Sequence, residues 1–285
     1  MLRSFLYPSR AWLFIFSALF LYGCAGVKVN AIKNDDYLTL CRGDVLTTGS
    51  LSASARTTLQ VVGIAEKDCR KDLPECRSQL ADNTGLADEN RLSALAELWL
   101  LEAMRSKGLH GQEARLDAYL ESARHAYAYL FFTPRNTGQR ALEDRQTQVR
   151  DYYNFAVQEA LTLLFELYRG KPPQRETADE QFHLRLAHWN ISGTMQEVRL
   201  AEGRQLPHEL IPAASLSFAG LRNQYRRDGL GAELVAVTRK RVVTSQSDRL
   251  PWSETPFPAI SAVIRFPGST LAEVLATRTA DISGY

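Results

Sequence analysis

The sequence predicts an α+β protein, an N-terminal helical bundle followed by a small β-rich unit, and three observations carry that prediction. Between Ser52 and about Gly170, leucine, alanine and aromatic residues recur at steps of three and four, the period of a helix with one buried face. Beyond the polar break Lys171-Pro172-Pro173-Gln174-Arg175-Glu176-Thr177 the period falls to two, that of a half-buried strand. Turn signals then punctuate the remainder, most plainly Asp228-Gly229-Leu230-Gly231. The chain divides accordingly into a signal peptide over 1–23, a tether over 24–51, a helical domain over 52–170 and a β-rich, incomplete domain over 178–285.

The first segment has Arg3 and Arg10, then an apolar run from Ala11 to Tyr22, then Gly23-Cys24-Ala25-Gly26. A run of twelve residues is too short for a finished membrane helix, which needs about 20. A positive start, a short apolar stretch and small residues at its end predict a secretory signal. Cysteine directly after Leu21-Tyr22-Gly23 resembles the bacterial lipobox, which implies acylation of Cys24, for example by palmitate, and a new N-terminus there. A plainly cleaved signal and an uncleaved anchor are the alternative readings. Ala25, where aspartate would otherwise direct retention, implies by the same resemblance a periplasm-facing protein of the outer membrane. From Val27 to about Thr48 the chain is mixed and slightly strand-like, and the expectation is a partly packed tether.

Three helices are predicted in the domain that follows. One carries Leu92, Leu95, Ala96, Trp99 and Ala103 on a common face and ends by Gly108. The next carries Leu116, Tyr119, Leu120, Ala123, Ala126 and Leu130, with Pro134 just past its end. The third runs from about Leu142 to Tyr168 and is closed by Gly170. Leu95 to Met104 and Leu120 to Phe132 look like a single tetratricopeptide-like hairpin, because alanine at a crossing lets two helices approach closely. No fixed period continues through the chain, so a compact bundle with one such hairpin is preferred to a solenoid.

In the C-terminal third, Phe182, Leu184 and Leu186 alternate with His183, Arg185 and Ala187. A turn is expected over Asn190 to Thr194, a return over Met195 to Leu200, and further strands over Leu234 to Val243 and Ile260 to Phe266. The chain reaches Asp281-Ile282-Ser283-Gly284-Tyr285 without a recognisable capping element, and the expectation is that something is missing.

Removing 1–23 takes two arginines and no acid, leaving 32 basic side chains against the chain's 32 acidic ones. Nucleic-acid binding is driven by counterion release at a basic face, and a balanced exported chain offers little of it. In an oxidising compartment disulfides persist, and Cys69 and Cys76 flank a short proline-containing turn that can bring them within bridging range. Cys41 is then odd and is read as a buried free thiol. With no His-x-x-x-His or Cys-x-x-Cys pair, no metal site is expected.

Motifs for catalysis and for cofactors are missing. No serine has the Gly-x-Ser-x-Gly elbow, and there is no Walker loop or Gly-x-Gly-x-x-Gly fingerprint, so no catalytic residue and no cofactor are assigned. His110, His125, His183, His188 and His208 are read as ordinary core or surface residues, with His183 and His188 too far apart in direction to share a ligand. Arg226, Arg227 and Arg239 form the remaining candidate, an anion site, although Asp228 and Glu233 nearby favour internal ion pairing.

The segment from Ala219 to Ala236, Ala-Gly-Leu-Arg-Asn-Gln-Tyr-Arg-Arg-Asp-Gly-Leu-Gly-Ala-Glu-Leu-Val-Ala, resembles a signature in the N-terminal region of large bacterial exported α/β-hydrolases, esterase- or lipase-like lipoproteins. The lipobox, the Cys69 to Cys76 spacing, the helical stretch Ala94 to Phe132 and the segment Pro258 to Pro267 leading to Thr270-Leu271-Ala272 agree with it. In that family the resembling regions precede the domain that supplies serine, acid and histidine, and no residue here matches the nucleophile. The resemblance therefore implies a non-catalytic, membrane-anchored N-terminal portion, either truncated before its hydrolase domain or a stand-alone accessory. The alternative expectation is an envelope-tethered interaction module whose helical hairpin, with Tyr127, Tyr129, Phe131 and Phe132, binds a protein or peptide partner. A weaker one is phospholipid head-group binding by the three arginines.

Overall fold

Capping chemistry begins the fold, in the first of the residues described by the computed structural model: 43–106, 111–135, 138–168, 181–186, 188–194, 199–200, 203–204, 209–216, 229–237 and 259–284. Helix α1 (Val45–Thr48) starts at Asp44, whose side chain accepts from the Leu46 and Thr47 amides while the Thr47 hydroxyl accepts from the Asp44 amide at 3.0 Å. Gly49, at φ 68°, ends it in the left-handed region that glycine tolerates. Ser52 caps α2 (Ala53–Val61) by accepting from the Ala55 amide at 3.1 Å. Helices α3 (Glu66–Lys71) and α4 (Leu73–Asp82) follow, with Asp72 capping the latter and Pro74 in the first turn, where an amide is not needed. The tether expectation is corrected here: residues 45–48 are helical, and Val45 and Leu51 are core residues at 0% and 1% exposure. A reciprocal cap plus apolar side chains on both sides of Gly49 make this segment part of the body.

The three long helices are α5 (Asp88–Arg105), α6 (Gln112–Phe132) and α7 (Asp144–Tyr168). Their leucine and alanine stripes are buried as the periodicity requires. Ala96 on α5 and Ala118, Ala123 and Ala126 on α6 are fully buried, and the Ser122 hydroxyl donates to the Ala96 carbonyl at 2.8 Å. Leu142 lies outside α7 and is fully exposed, since the turn before the helix instead buries Arg140 over the Tyr129 ring at 4.3 Å. Among the described residues no helix is long and apolar enough to cross a membrane.

The strands are β1 (Gln181–Leu186), β2 (Trp189–Thr194), β3 (Arg199–Leu200), β4 (Gly203–Arg204), β5 (Glu209–Pro212), β6 (Ala232–Val237), β7 (Ala259–Arg265) and β8 (Thr279–Gly284), with helix α8 (Leu271–Ala276) before the last. Six of them form one sheet in the order β1-β2-β8-β7-β6-β5, and β3 pairs with β4 alone. Only β2 and β8 run parallel within the six; the other neighbours are antiparallel.

Two strand expectations change. Residues 190–194 are strand rather than turn, because Trp189 and Ile191 alternate inward at 0% and 1% exposure, and the turn falls at His188. The end that the sequence leaves uncapped is an interior strand, β8, with Ala280 and Ile282 inward and Asp281 outward. Of the expected return over 195–200 only Arg199–Leu200 is described, and of 234–243 only the part within β6.

The protein is α+β, but its described helices and strands belong to one compact unit rather than two domains. Helix α7 packs on β5, β6 and β7, and α8 packs on α6. Neither half could cover its own apolar face, so they share one core. Tyr153 on α7 shows how the layers are fastened: its hydroxyl donates to the Ile264 carbonyl at 2.6 Å and accepts from the Ile264 amide at 3.1 Å. Strand β6 pairs with β7 only over Ala259 to Ala262, so Tyr153 satisfies the next backbone groups along that edge. The break at 171–177 lies outside the described residues.

Candidate functional site

The densest polar constellation lies where α6 meets the β1–β2 turn and the α8–β8 connection. Asp117, Glu121 and Arg124 sit three and four residues apart and therefore share one helix face. Trp189, fully buried at the start of β2, donates its indole N–H to Asp117 Oδ1 at 2.8 Å. His188 Nε2 stands 3.0 Å from the same oxygen and 3.8 Å from Glu121 Oε1. Glu121, at 3% exposure, is held between the guanidinium groups of Arg124 and Arg278. Arg124 also donates to the carbonyls of Leu275 and Thr277, the latter at 2.9 Å, and so satisfies the end of α8.

Burial, with the charge of Glu121, pushes the Asp117 carboxyl up, against the hydrogen bond from Trp189 and the charge of His188. His125 lies on the inner side of α6, its Nδ1 donating to the Glu121 carbonyl at 2.8 Å. Burial and the neighbouring Arg124 push it down to about 4, so its imidazole is neutral at ordinary pH. His188 has the acid–base partner that the sequence does not reveal, and Asp117, Glu121 and His188 place three ligand atoms within 4.8 Å of one another. Two arginines already neutralise Glu121, and Trp189 and His188 already occupy Asp117, so the cluster is satisfied as an ionic junction between helix and sheet.

A serine, a histidine and an aspartate also meet on the sheet. His183 is the cross-strand partner of Ser192, and Ser192 of Asp281, whose own partner on the far side is Arg265. Directly opposed residues share a face, so the four form a row across β1, β2, β8 and β7. The Ser192 hydroxyl donates to Asp281, and no hydrogen bond joins it to His183. A nucleophilic serine needs a base on its proton and free donors for an oxyanion. Here the carboxylate takes the hydroxyl proton's hydrogen bond, and mid-strand amides are engaged in the ladder.

Cys69 and Cys76 are joined in a disulfide with Cα atoms 4.9 Å apart, linking α3 to α4. Cys24, Cys41, Arg226, Arg227, Arg239, His110 and His208 lie outside the described residues. Of the candidate partner-binding aromatic residues near the end of α6, Tyr129 is fully buried and Tyr127 packs on Phe266 at 5.7 Å, while Phe131 is half-exposed. The described end of the Ala219 to Ala236 segment is held by α7. Asn154 Nδ2 donates to the Gly229 carbonyl at 2.9 Å, and its Oδ1 accepts from the Gly231 amide at 2.6 Å. Gly231 has φ 112°, and a Cβ there would stand 2.4 Å from the Ala262 carbonyl oxygen. Comparison with known proteins adds no identity to this geometry: no family model, curated protein or solved structure matches the chain.

Proposed function

We propose that this chain is the non-catalytic scaffold portion of an α/β-hydrolase-like, esterase- or lipase-like lipoprotein, anchored in the bacterial outer membrane through acylated Cys24. The observation that carries the reading is the seating of the signature segment. At the described end of that segment Asn154 grips Gly229 and Gly231, and Gly231 lies against β7 where no Cβ fits, so this end of the segment serves to build the sheet. The polar clusters support the same view, since each of their described carboxylates is engaged in fastening one element to another. On this reading α5 and α6 are the tetratricopeptide-like hairpin of a helical bundle, brought close by Ala96 and Ser122.

Two experiments test the two parts. A fluorophosphonate reporter added to the full-length chain in detergent should leave its mass unchanged, and a stoichiometric adduct on Ser192 or any other serine would refute the non-catalytic assignment. Metabolic labelling with alkynyl palmitate should mark the chain and not its Cys24→Ser variant; equal labelling of both, or of neither, would refute the anchor. A second reading, an envelope-tethered module that binds a protein or peptide, is favoured by one observation, the half-exposed Phe131 beside the packed Tyr127.

A further inference from the structure

Away from that junction, one carboxylate is buried without a cation. Glu97 on α5 is 1% exposed and is held by hydrogen bonds from the first described segment of the chain. Its Oε1 accepts from the amides of Val45 at 3.2 Å and Ser52 at 2.7 Å, and its Oε2 lies 2.7 Å from the Ser52 hydroxyl. A small cavity beside it is lined by Ser52, Ser54, Arg145 and Tyr152. The Ser54 and Tyr152 hydroxyls are buried there without a well-formed partner.

The groups facing Glu97 decide which protonation state this packing suits. The segment presents Asp44, a second carboxylate. Helix α2 presents the Ser54 hydroxyl alone. Helix α7 presents Tyr152, whose hydroxyl is held protonated by burial and by Glu97 and Asp44, and Arg145, whose guanidinium is engaged with Asn90. Among the described residues no cationic group pairs with Glu97. A protonated Oε2 can donate to the Ser52 hydroxyl while Oε1 keeps both amides, so the neutral acid loses no partner. The ionised acid is buried beside a like charge, and its relief is water.

We propose that Glu97 is a pH-sensitive latch: in its protonated form it fastens residues 43–52 to α5, and in its ionised form it lets that segment open while the rest of the fold stays closed. Burial, with the charge of Asp44, moves the Glu97 carboxyl from the usual 4.5 up to about 7, against the hydrogen bonds from Ser52 and Val45. A group whose closed-state value is raised stabilises the closed form most fully below its open-state value. That stabilisation is lost as pH rises from 4.5 to about 7, and the opening equilibrium is level above that. If residues 24–42 are a membrane tether, the latch sets how far the body can stand from the membrane. That consequence rests on the lipoprotein reading; the latch does not.

Hydrogen–deuterium exchange of the full-length chain in detergent, corrected for intrinsic rates, tests it independently of any lipid. Peptides spanning 43–52 should open at least about tenfold more readily at about pH 7.5 than at about pH 5, with α6 peptides showing no matching change. Glu97→Gln should abolish the pH dependence, and Asp44→Asn, which keeps a capping side chain, should reduce it. Unchanged protection of 43–52 in the wild type across that range would overturn the latch, whatever the variants do. So would an equal loss of protection in α6, which would mean global and not local opening.

Discussion

Single atoms hold the layers of this protein together, and the sharpest tests lie there. Gly231 combines a left-handed φ of 112° with a Cβ position only 2.4 Å from the Ala262 carbonyl oxygen. Gly231→Ala should therefore destabilise the protein by more than about 2 kcal/mol, measured by urea denaturation, because both the backbone and β7 must shift. Gly229 meets nothing within 4 Å, so Gly229→Ala serves as the mild control. Tyr153→Phe removes one hydroxyl and two hydrogen bonds, and it leaves the Ile264 amide and carbonyl buried without partners. A loss of about 2–3 kcal/mol is expected in the same assay.

Elements are fastened by contacts between residues far apart in the chain, which explains what the sequence could and could not reveal. The stripes of α5 and α6 are local patterns, and their leucines and alanines are legible from spacing alone. The pairing of Cys69 with Cys76 is equally local, with a separation of 7, and closing so short a loop is worth about 2.5 kcal/mol by chain entropy. Replacing both cysteines by alanine should lower stability by about that amount in the absence of reductant. The junction is different. Glu121 meets Arg278 across 157 residues and Asp117 meets Trp189 across 72, and no periodicity carries that information. The sequence signal was two acids and an arginine at spacings of four and three on one face of an otherwise alanine- and leucine-rich helix. Arg124→Ala should cost about 3–5 kcal/mol, because it strips Glu121 of one partner in a buried setting and exposes the end of α8 to no donor. Strand β8 was missed for another reason: with only Ala280 and Ile282 inward, its alternation is too short to stand out until β2 and β7 flank it.

At the scale of the whole molecule, two buried groups give the pH dependence of stability opposite signs. Glu97, raised to about 7, favours the native state as pH falls from 7 towards 4.5. His125, lowered from 6.5 to about 4, disfavours it as pH falls across 6.5 to 4, since the unfolded chain takes up the proton first. The two slopes oppose each other between 4.5 and 6.5. Thermal melts of Glu97→Gln should then lose stability towards acid more steeply than the wild type, and those of His125→Gln should gain it. Identical profiles for wild type and both variants would contradict the burial of these groups. The same melts should show one cooperative transition, as a single shared core requires.

The central claim of the proposal is that the described residues hold no activated nucleophile: the Ser192 hydroxyl donates to Asp281, and His188 stands against Asp117. Hydrolysis of short- and long-chain p-nitrophenyl esters by the full-length chain in detergent measures it most directly. The rate should equal the blank for every chain length. Turnover above blank that disappears in Ser192→Ala or after phosphonate treatment would contradict the account.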